Sequence, residues 1–266
     1  KSGSRDYVGY ANNFDYDANV FSAGFDMPVL NAFIAGLALT KESLNTKLGS
    51  AAGSYDLEGQ SVAAYAHWQS GTFFANASVG YGSQDIRSIS RTTRFGGLTT
   101  SGKTDGDRFT GLFRVGAELG SESFRIVPLA GLRYAKAKVG TYTETGATGL
   151  NFVFDEQSAK SVDAELGATA DWQLSTGRNP IWVGVSAMFQ RDVANDSREL
   201  SGRLADTVAA TSRISIDDGL DTSIKLGAPH GGHIGKNWGR SAGYLAEQRD
   251  DGDTANLFNV TITAGF

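Results

Sequence analysis

The stretch Ser161-Val162-Asp163-Ala164-Glu165-Leu166-Gly167-Ala168-Thr169-Ala170-Asp171-Trp172 decides the fold class. In an extended chain successive side chains point to opposite sides. Val162, Ala164, Leu166, Ala168, Ala170 and Trp172 therefore share one face, opposite Ser161, Asp163, Glu165, Thr169 and Asp171. The same period of two runs through Val62–Trp68, Phe73–Tyr81 and Phe109–Leu119. Capped segments with apolar residues at i, i+3, i+4 and i+7 are missing, while β-branched, aromatic and glycine residues dominate. The alternating runs reach about 10 residues or more, whereas an ordinary globular strand has about 5–6. The chain is read as all-β.

Working outward from the strands, the connections alternate short and long. Tight turns are expected at Pro28–Asn31, Ser70–Gly71, Gly120–Ser121, Ser175–Asn179 and Pro229–Gly232. Long polar stretches lie at Lys41–Asp56, Ser88–Asp105, Val139–Lys160 and Asp192–Asp218. Short links near Asn12–Phe14 and Asp250–Asp253 fall on the side of the long ones, and Asp105-Gly106 and Asp218-Gly219 mark where strands resume. The count is about twelve antiparallel strands, with short turns at one rim and long loops at the other. An even strand number with short periplasmic turns and long extracellular loops is the organisation of bacterial outer-membrane barrels. No repeat or linker divides the chain, so residues 1–266 read as one barrel domain.

Composition fits that reading. A mean hydropathy of −0.24 excludes only membrane helices, because a membrane barrel confines its apolar band to every second residue. The longest clean apolar run, Ala32–Leu39, is far below the roughly 18 residues that a spanning helix needs. A net charge of −5, with 29 acidic against 24 basic residues, argues against a nucleic-acid partner. With zero cysteines there is no disulfide scaffold, thiolate metal site or thiol nucleophile.

The direction of the faces separates a soluble barrel from a membrane one. Charges sit on the polar faces: Asp26, Arg114, Glu118, Arg125, Arg133, Asp163, Glu165 and Asp171. The apolar faces end in aromatics such as Trp68, Tyr81, Tyr134 and Trp172, as interfacial girdles do. Many apolar-face residues are only alanine, which would fill a twelve-strand interior poorly but which lipid covers without a void. The apolar face is therefore read as facing lipid and the charges as lining the lumen, pairing across strands. Arg125 and Arg133 are expected to face Glu118 or Asp163 and Glu165. Lys136 and Lys138 continue the face of Tyr134, where a lysine can snorkel to the headgroups.

The chain ends Phe258-Asn259-Val260-Thr261-Ile262-Thr263-Ala264-Gly265-Phe266, with Phe258, Val260, Ile262, Ala264 and Phe266 on one face. This resembles the terminal strand of Gram-negative outer-membrane barrels, where alternating apolar positions and a final Phe signal to the assembly machinery. Tyr16-Asp17-Ala18-Asn19-Val20-Phe21-Ser22-Ala23-Gly24-Phe25-Asp26 is similar to the second barrel strand of the C-terminal translocator domains of monomeric (type V) autotransporters. The resemblance covers nearly the whole chain. It departs at Ala264, where a second aromatic is common. Lys1–Arg5 is also too short for the helix that usually runs through the pore.

The resemblance implies an integral outer-membrane anchor and translocator, its C-terminus periplasmic, that helps an N-terminal passenger reach the cell surface. It implies a monomer whose partners are outer-membrane lipid, the barrel assembly machinery, its own passenger and the pore helix. No signal peptide precedes the barrel, as expected of a C-terminal portion with the passenger and most or all of the pore helix upstream.

Two rival functions share the fold: a stand-alone pore for small solutes and, less favoured, an outer-membrane lipase-type enzyme. No G-x-S-x-G elbow, P-loop, H-E-x-x-H or dinucleotide fingerprint is present, so no catalytic residue, metal site or cofactor is assigned. His230-Gly231-Gly232-His233 reads as a polar turn, and His67 as a lumen hydrogen-bonding group. Asp250-Asp251-Gly252-Asp253 reads as a hairpin turn rather than a calcium loop.

Overall fold

The computed structural model describes residues 2–5, 14–49, 52–93, 96–175, 179–195, 198–205, 211–216, 222–234, 237–250, 252 and 254–265. Among them the strands follow in the order β1 (Ser2–Arg5), β2 (Phe14–Leu30), β3 (Phe33–Leu48), β4 (Gly53–Ser70), β5 (Phe73–Thr92) and β6 (Thr99–Ala117). Next come β7 (Leu119–Gly120), β8 (Phe124–Val139), β9 (Tyr142–Thr143), β10 (Phe152–Phe154), β11 (Gln157–Ser175) and β12 (Ile181–Asn195). The last are β13 (Arg198–Leu204), β14 (Ser212–Ile216), β15 (Thr222–Ile234), β16 (Trp238–Arg249) and β17 (Thr254–Ala264). No helix among the described residues is long and apolar enough to cross a membrane.

The sheet closes on itself. Strands β11-β12-β15-β16-β17-β1-β2-β3-β4-β5-β6-β8 are neighbours in that order, and β8 pairs back onto β11. Twelve antiparallel strands therefore form the ring, with β7 a continuation of β6 beyond a break at Glu118. The closing seam is the short one: β1 joins β17 through Ser2–Ser4 and β2 through Ser2–Arg5, so the described ladder between β17 and β2 lies at one end, at Thr254–Asn256 and Phe14–Asp17.

The outer face is the apolar one. Phe21, Phe25, Leu39, Phe73, Val79, Leu166, Leu226, Phe258 and Ile262 are all exposed, and among the described residues only three apolar ones, Phe74, Ile86 and Ala147, are buried. The described residues thus form no inner apolar core, and their hydrophobic surface needs lipid. From Phe73 to Tyr81 the outer face of β5 spans about 27 Å along the strand. At a tilt of about 40° that is about 21 Å of height, near the apolar band of about 25 Å in outer-membrane barrels.

Several connections differ from the sequence expectation. The polar stretches Lys41–Asp56 and Ser88–Asp105 are mostly strand, since β3 runs to Leu48, β4 starts at Gly53, β5 reaches Thr92 and β6 starts at Thr99. Asp105-Gly106 thus lies inside β6 and marks no restart. Above Tyr81 both faces of these strands are polar, so the period-two signal vanishes although the ladder continues. The turn expected at Pro229–Gly232 is also a correction: all four residues lie inside β15, and Asn237 forms the described part of the turn at that rim. Residues 12–13, 176–178, 218–219, 251 and 253, named for links or turns, lie outside the described residues.

The remaining long connections carry a four-stranded sheet in the order β14-β13-β10-β9. That order repeats β15-β12-β11-β8 directly below, because β9 follows β8, β10 precedes β11, β13 follows β12 and β14 precedes β15. The Gly140 amide donates to the Asp105 carbonyl at 2.7 Å, and Ser101 and Thr145 exchange backbone hydrogen bonds at 2.8 and 2.9 Å. These bonds hold the rising chain against β6. The small sheet is thus the barrel wall continued upward as a collar.

Candidate functional site: the charged inner wall and its collar

Contacts that skip a strand identify the inner face, since only on a concave surface can side chains meet over the strand between them. The Gln84 amide on β5 donates to Glu42 Oε1 on β3 at 3.0 Å, above Gly59 of β4. Arg108 on β6 reaches the same carboxylate at 3.0 Å. Arg114 on β6 passes over Gly131 of β8 to Glu165 Oε2 on β11 at 2.7 Å. A Cβ at Gly131 would stand 2.7 Å from Arg114 Cγ, so glycine is what opens that path.

Aromatic rings use the same device. Tyr65 lies over Gly36, where a Cβ would be 2.4 Å from its Cζ, and its hydroxyl donates to Asp26 Oδ2 at 2.9 Å. Phe74 covers Gly116, where a Cβ would be 2.5 Å from the ring. His67 bonds Asn76 through Nδ1 at 2.7 Å and stacks on Phe74 at 6.3 Å.

The charges named from sequence fall into three places on this face. Asp26 takes the Tyr65 hydroxyl. Arg125 joins Glu118 at 3.1 Å and Asp171 at 3.3 Å near the short-turn rim, beside a cavity of about 610 Å³ that also meets Trp182. Arg133 is the register partner of Asp163, while Glu165 takes Arg114. Sequence reading left Glu42, Arg108, Gln190, Asp192, Lys225, Glu247 and Arg249 unassigned. Lys225 hydrogen-bonds Gln190 and lies 3.9 Å from Glu247, which Arg249 approaches at 3.4 Å. Their alternation on β12, β15 and β16 was the available signal.

His230 and His233 sit in β15 three positions apart, so they face opposite sides and do not converge on one ion. His233 meets Trp182 edge-on at 5.4 Å. Among the described residues no cluster of histidines and carboxylates is arranged to hold a metal. Of the terminal strand, Phe258, Val260 and Ile262 are exposed on the outer face and Ala264 closes β17 opposite Trp238. Phe266 lies outside the described residues.

In the collar Glu144 is buried, with its side chain 1% exposed. It accepts Arg91 Nε at 2.7 Å, Arg91 Nη2 at 2.5 Å and the Phe152 amide at 3.0 Å. Arg91 also donates to the Leu150 carbonyl at 3.0 Å and stands 5.3 Å above the Phe152 ring. Tyr142 stacks on Phe154 at 4.9 Å and covers Gly102. Burial first, then the Glu144 charge, pushes the Tyr142 phenol from 10.0 up to about 12, against a lowering by Arg91.

The raised value means that folding favours the neutral phenol. Its stabilisation is whole below pH 10 and is lost as the pH climbs through 12. Protease cleavage of the collar should therefore rise across that interval, and Tyr142→Phe should remove the step. An unchanged step in the variant would assign it to another tyrosine.

A family model described as Autotransporter beta-domain matches residues 1–244. Outer membrane protein A of Rickettsia conorii is 27% identical over 237 residues, which is 80% of this chain but 12% of that protein's length. The translocator domain of autotransporter NalP from Neisseria meningitidis matches with a TM-score of 0.79 at 16% identity, covering 100% of this chain and 85% of that one. The β domain of the Bordetella autotransporter BrkA gives 0.73 at 14%, with 100% and 96% covered.

Proposed function

Because the chain belongs to the autotransporter β-domain family, we propose that it is the outer-membrane translocator of a longer precursor and helps an N-terminal passenger reach the cell surface. The observation that carries this reading is the curled wall of twelve antiparallel strands, apolar outside and lined inside by ion pairs. An extended polypeptide, which carries unpaired backbone groups, passes through a polar channel at far less cost than through hydrocarbon. The inner charges serve either that passage or a pore helix seated among them.

The remaining partners follow from the surface. The terminal strand, with Phe258, Val260, Ile262, Ala264 and Phe266 on one side, is the segment the barrel assembly machinery would read. Its end lies at the rim of short turns, which supports a periplasmic C-terminus. A strand ring that returns on itself from β8 to β11 suits a monomer. Residues 1–266 act as one domain, with the passenger and pore helix outside it, and the chemistry of the precursor belongs to the passenger.

Pulse-labelling with an antibody against the barrel tests the reading. A newly made product far above 28.1 kDa is expected. A product larger only by a signal peptide of roughly 15–30 residues would leave a stand-alone pore instead.

A further inference from the structure

Among the described residues β1 is only Ser2–Arg5. Ser2 stands between Asn256 of β17 and Asp17 of β2, and the strand rises from there antiparallel to both neighbours. Below Ser2 the neighbours continue without it, β2 down to Leu30 and β17 down to Ala264. Over Asn19–Pro28 the described ladder of β2 is with β3 alone, and over Phe258–Ala264 that of β17 is with β16 alone.

Exposure marks the same gap. In β4 and β6, flanked on both sides, exposed and covered residues interleave. From Asn19 to Leu30 and from Phe258 to Ala264 every residue is exposed. Inward-facing Ser22, Gly24, Asp26, Thr261 and Thr263 are thus open along with outward-facing Phe21, Phe25, Val260 and Ile262. In an antiparallel ladder every second residue turns its N–H and C=O toward one neighbour, so about half of these residues aim backbone groups into the seam. They lie at the depth of the apolar outer face, where hydrocarbon offers such groups no partner. At Ser2 the flanking strands are two spacings apart, about 10 Å, the width of one extended chain.

Resting on the reading of a longer outer-membrane precursor, we infer that the chain just ahead of Lys1 continues β1 down this seam as an extended strand. Register carried down from Ser2 sets the first residue before Lys1 between Phe258 and Asn19, and the third between Val260 and Phe21. The fifth falls between Ile262 and Ala23, and the seventh between Ala264 and Phe25. These four positions face lipid and take apolar side chains, while the second, fourth and sixth face the lumen and take small or polar ones. The seventh residue reaches the rim of short turns. The link to a surface passenger therefore starts at that rim and has to rise through the lumen, and the passenger's tether is itself part of the membrane wall.

The chain has no cysteine, so a disulfide trap in the full precursor reads the register directly. Val260→Cys is combined with cysteine at the third residue before Lys1, and in a second variant Ile262→Cys with cysteine at the fifth. Each pair stands directly opposite, within disulfide reach. Oxidation of the folded protein should close both bridges, seen on heated, non-reduced gels as a faster loop form that reductant abolishes. Moving the upstream cysteine by one residue turns it to the other face and should abolish the bridge. Bridging that survives that move, or no bridge in either variant although the heat-dependent gel shift persists, would overturn the strand. So would a bridge between Val260→Cys and Phe21→Cys, which would mean β17 closing directly on β2, or a bridge between two precursors, which would put a second copy in the seam. A precursor with no heat-dependent gel shift even without cysteines would instead overturn the barrel reading itself.

Discussion

Arg114→Met is expected to lower the barrel's stability to urea by about 3 kcal/mol, the low end for removing one member of a buried ion pair. Glu165 is 3% exposed, and Arg114 supplies both its ion pair and its hydrogen bond at 2.7 Å. With arginine gone, the carboxylate stays on the inner wall without its counter-charge and must take up a proton or draw in water. Glu165→Gln in the same chain removes that stranded charge and should recover most of the loss. This makes the pair a two-residue unit with a large coupling in a double-mutant cycle. Gly131→Ala should resemble Arg114→Met, since its new methyl occupies the path of the arginine. The folded fraction of the full precursor, read by gel shift across a urea series, is the measurement. A midpoint unmoved by Arg114→Met would show that the lumen solvates Glu165 well enough to do without a partner.

How legible this was depends on what period two can carry. Between the aromatic rows one face meets lipid and the other the lumen, so the pattern in Val162–Trp172 reports strand, face and fold at once. Above Tyr81 water bathes both sides, and strands such as Lys41–Leu48 and Thr99–Arg108 keep their ladder without an apolar signature. A polar strand there looks like a loop. Bulges erase more. In β5 the register shifts between Ile86 and Ile89, and Ser88 adopts a positive φ of 55°. Below the shift the even positions point inward; above it Ile89 and Arg91 do, opposite Gly102 and Thr100. Simple alternation therefore assigns Arg91 to the wrong face and hides its pairing with Glu144, 53 positions away. Pro229–Gly232 misleads the other way, because Pro and Gly usually mark turns. Here a proline and several small residues sit within a barrel strand, with His233 packed against Trp182. The charges at mid-strand were visible, but their partners depend on which intervening residue is glycine, as at Gly59 and Gly131.

That hidden pair gives the second large effect. Arg91→Met should open the collar while the barrel beneath it stays folded. Glu144 would keep its buried position but lose both guanidinium bonds, and the Leu150 carbonyl and the Phe152 ring would lose the cation that joins them. Stranding such a carboxylate costs about 4 kcal/mol, concentrated in the segment from Thr143 to Phe154. The strands below retain their own pairing, since β8 and β11 are matched residue by residue from Val139 and Gln157 down to Phe124 and Trp172. Local opening and global unfolding should thus separate. With opening fast relative to cleavage, a shift of about 4 kcal/mol raises protease attack near Gly146–Leu150 by about a thousandfold. Heat-dependent gel mobility should change little. Glu144→Gln, which keeps the shape and an acceptor but removes the charge, should fall between the two. If Arg91→Met left the cleavage rate unchanged, the collar would be held by the Ser101–Thr145 backbone bonds and the Tyr142–Phe154 stack instead. If it abolished the gel shift, the collar would be part of what closes the barrel, and the upper wall would have to form before the lower wall is stable.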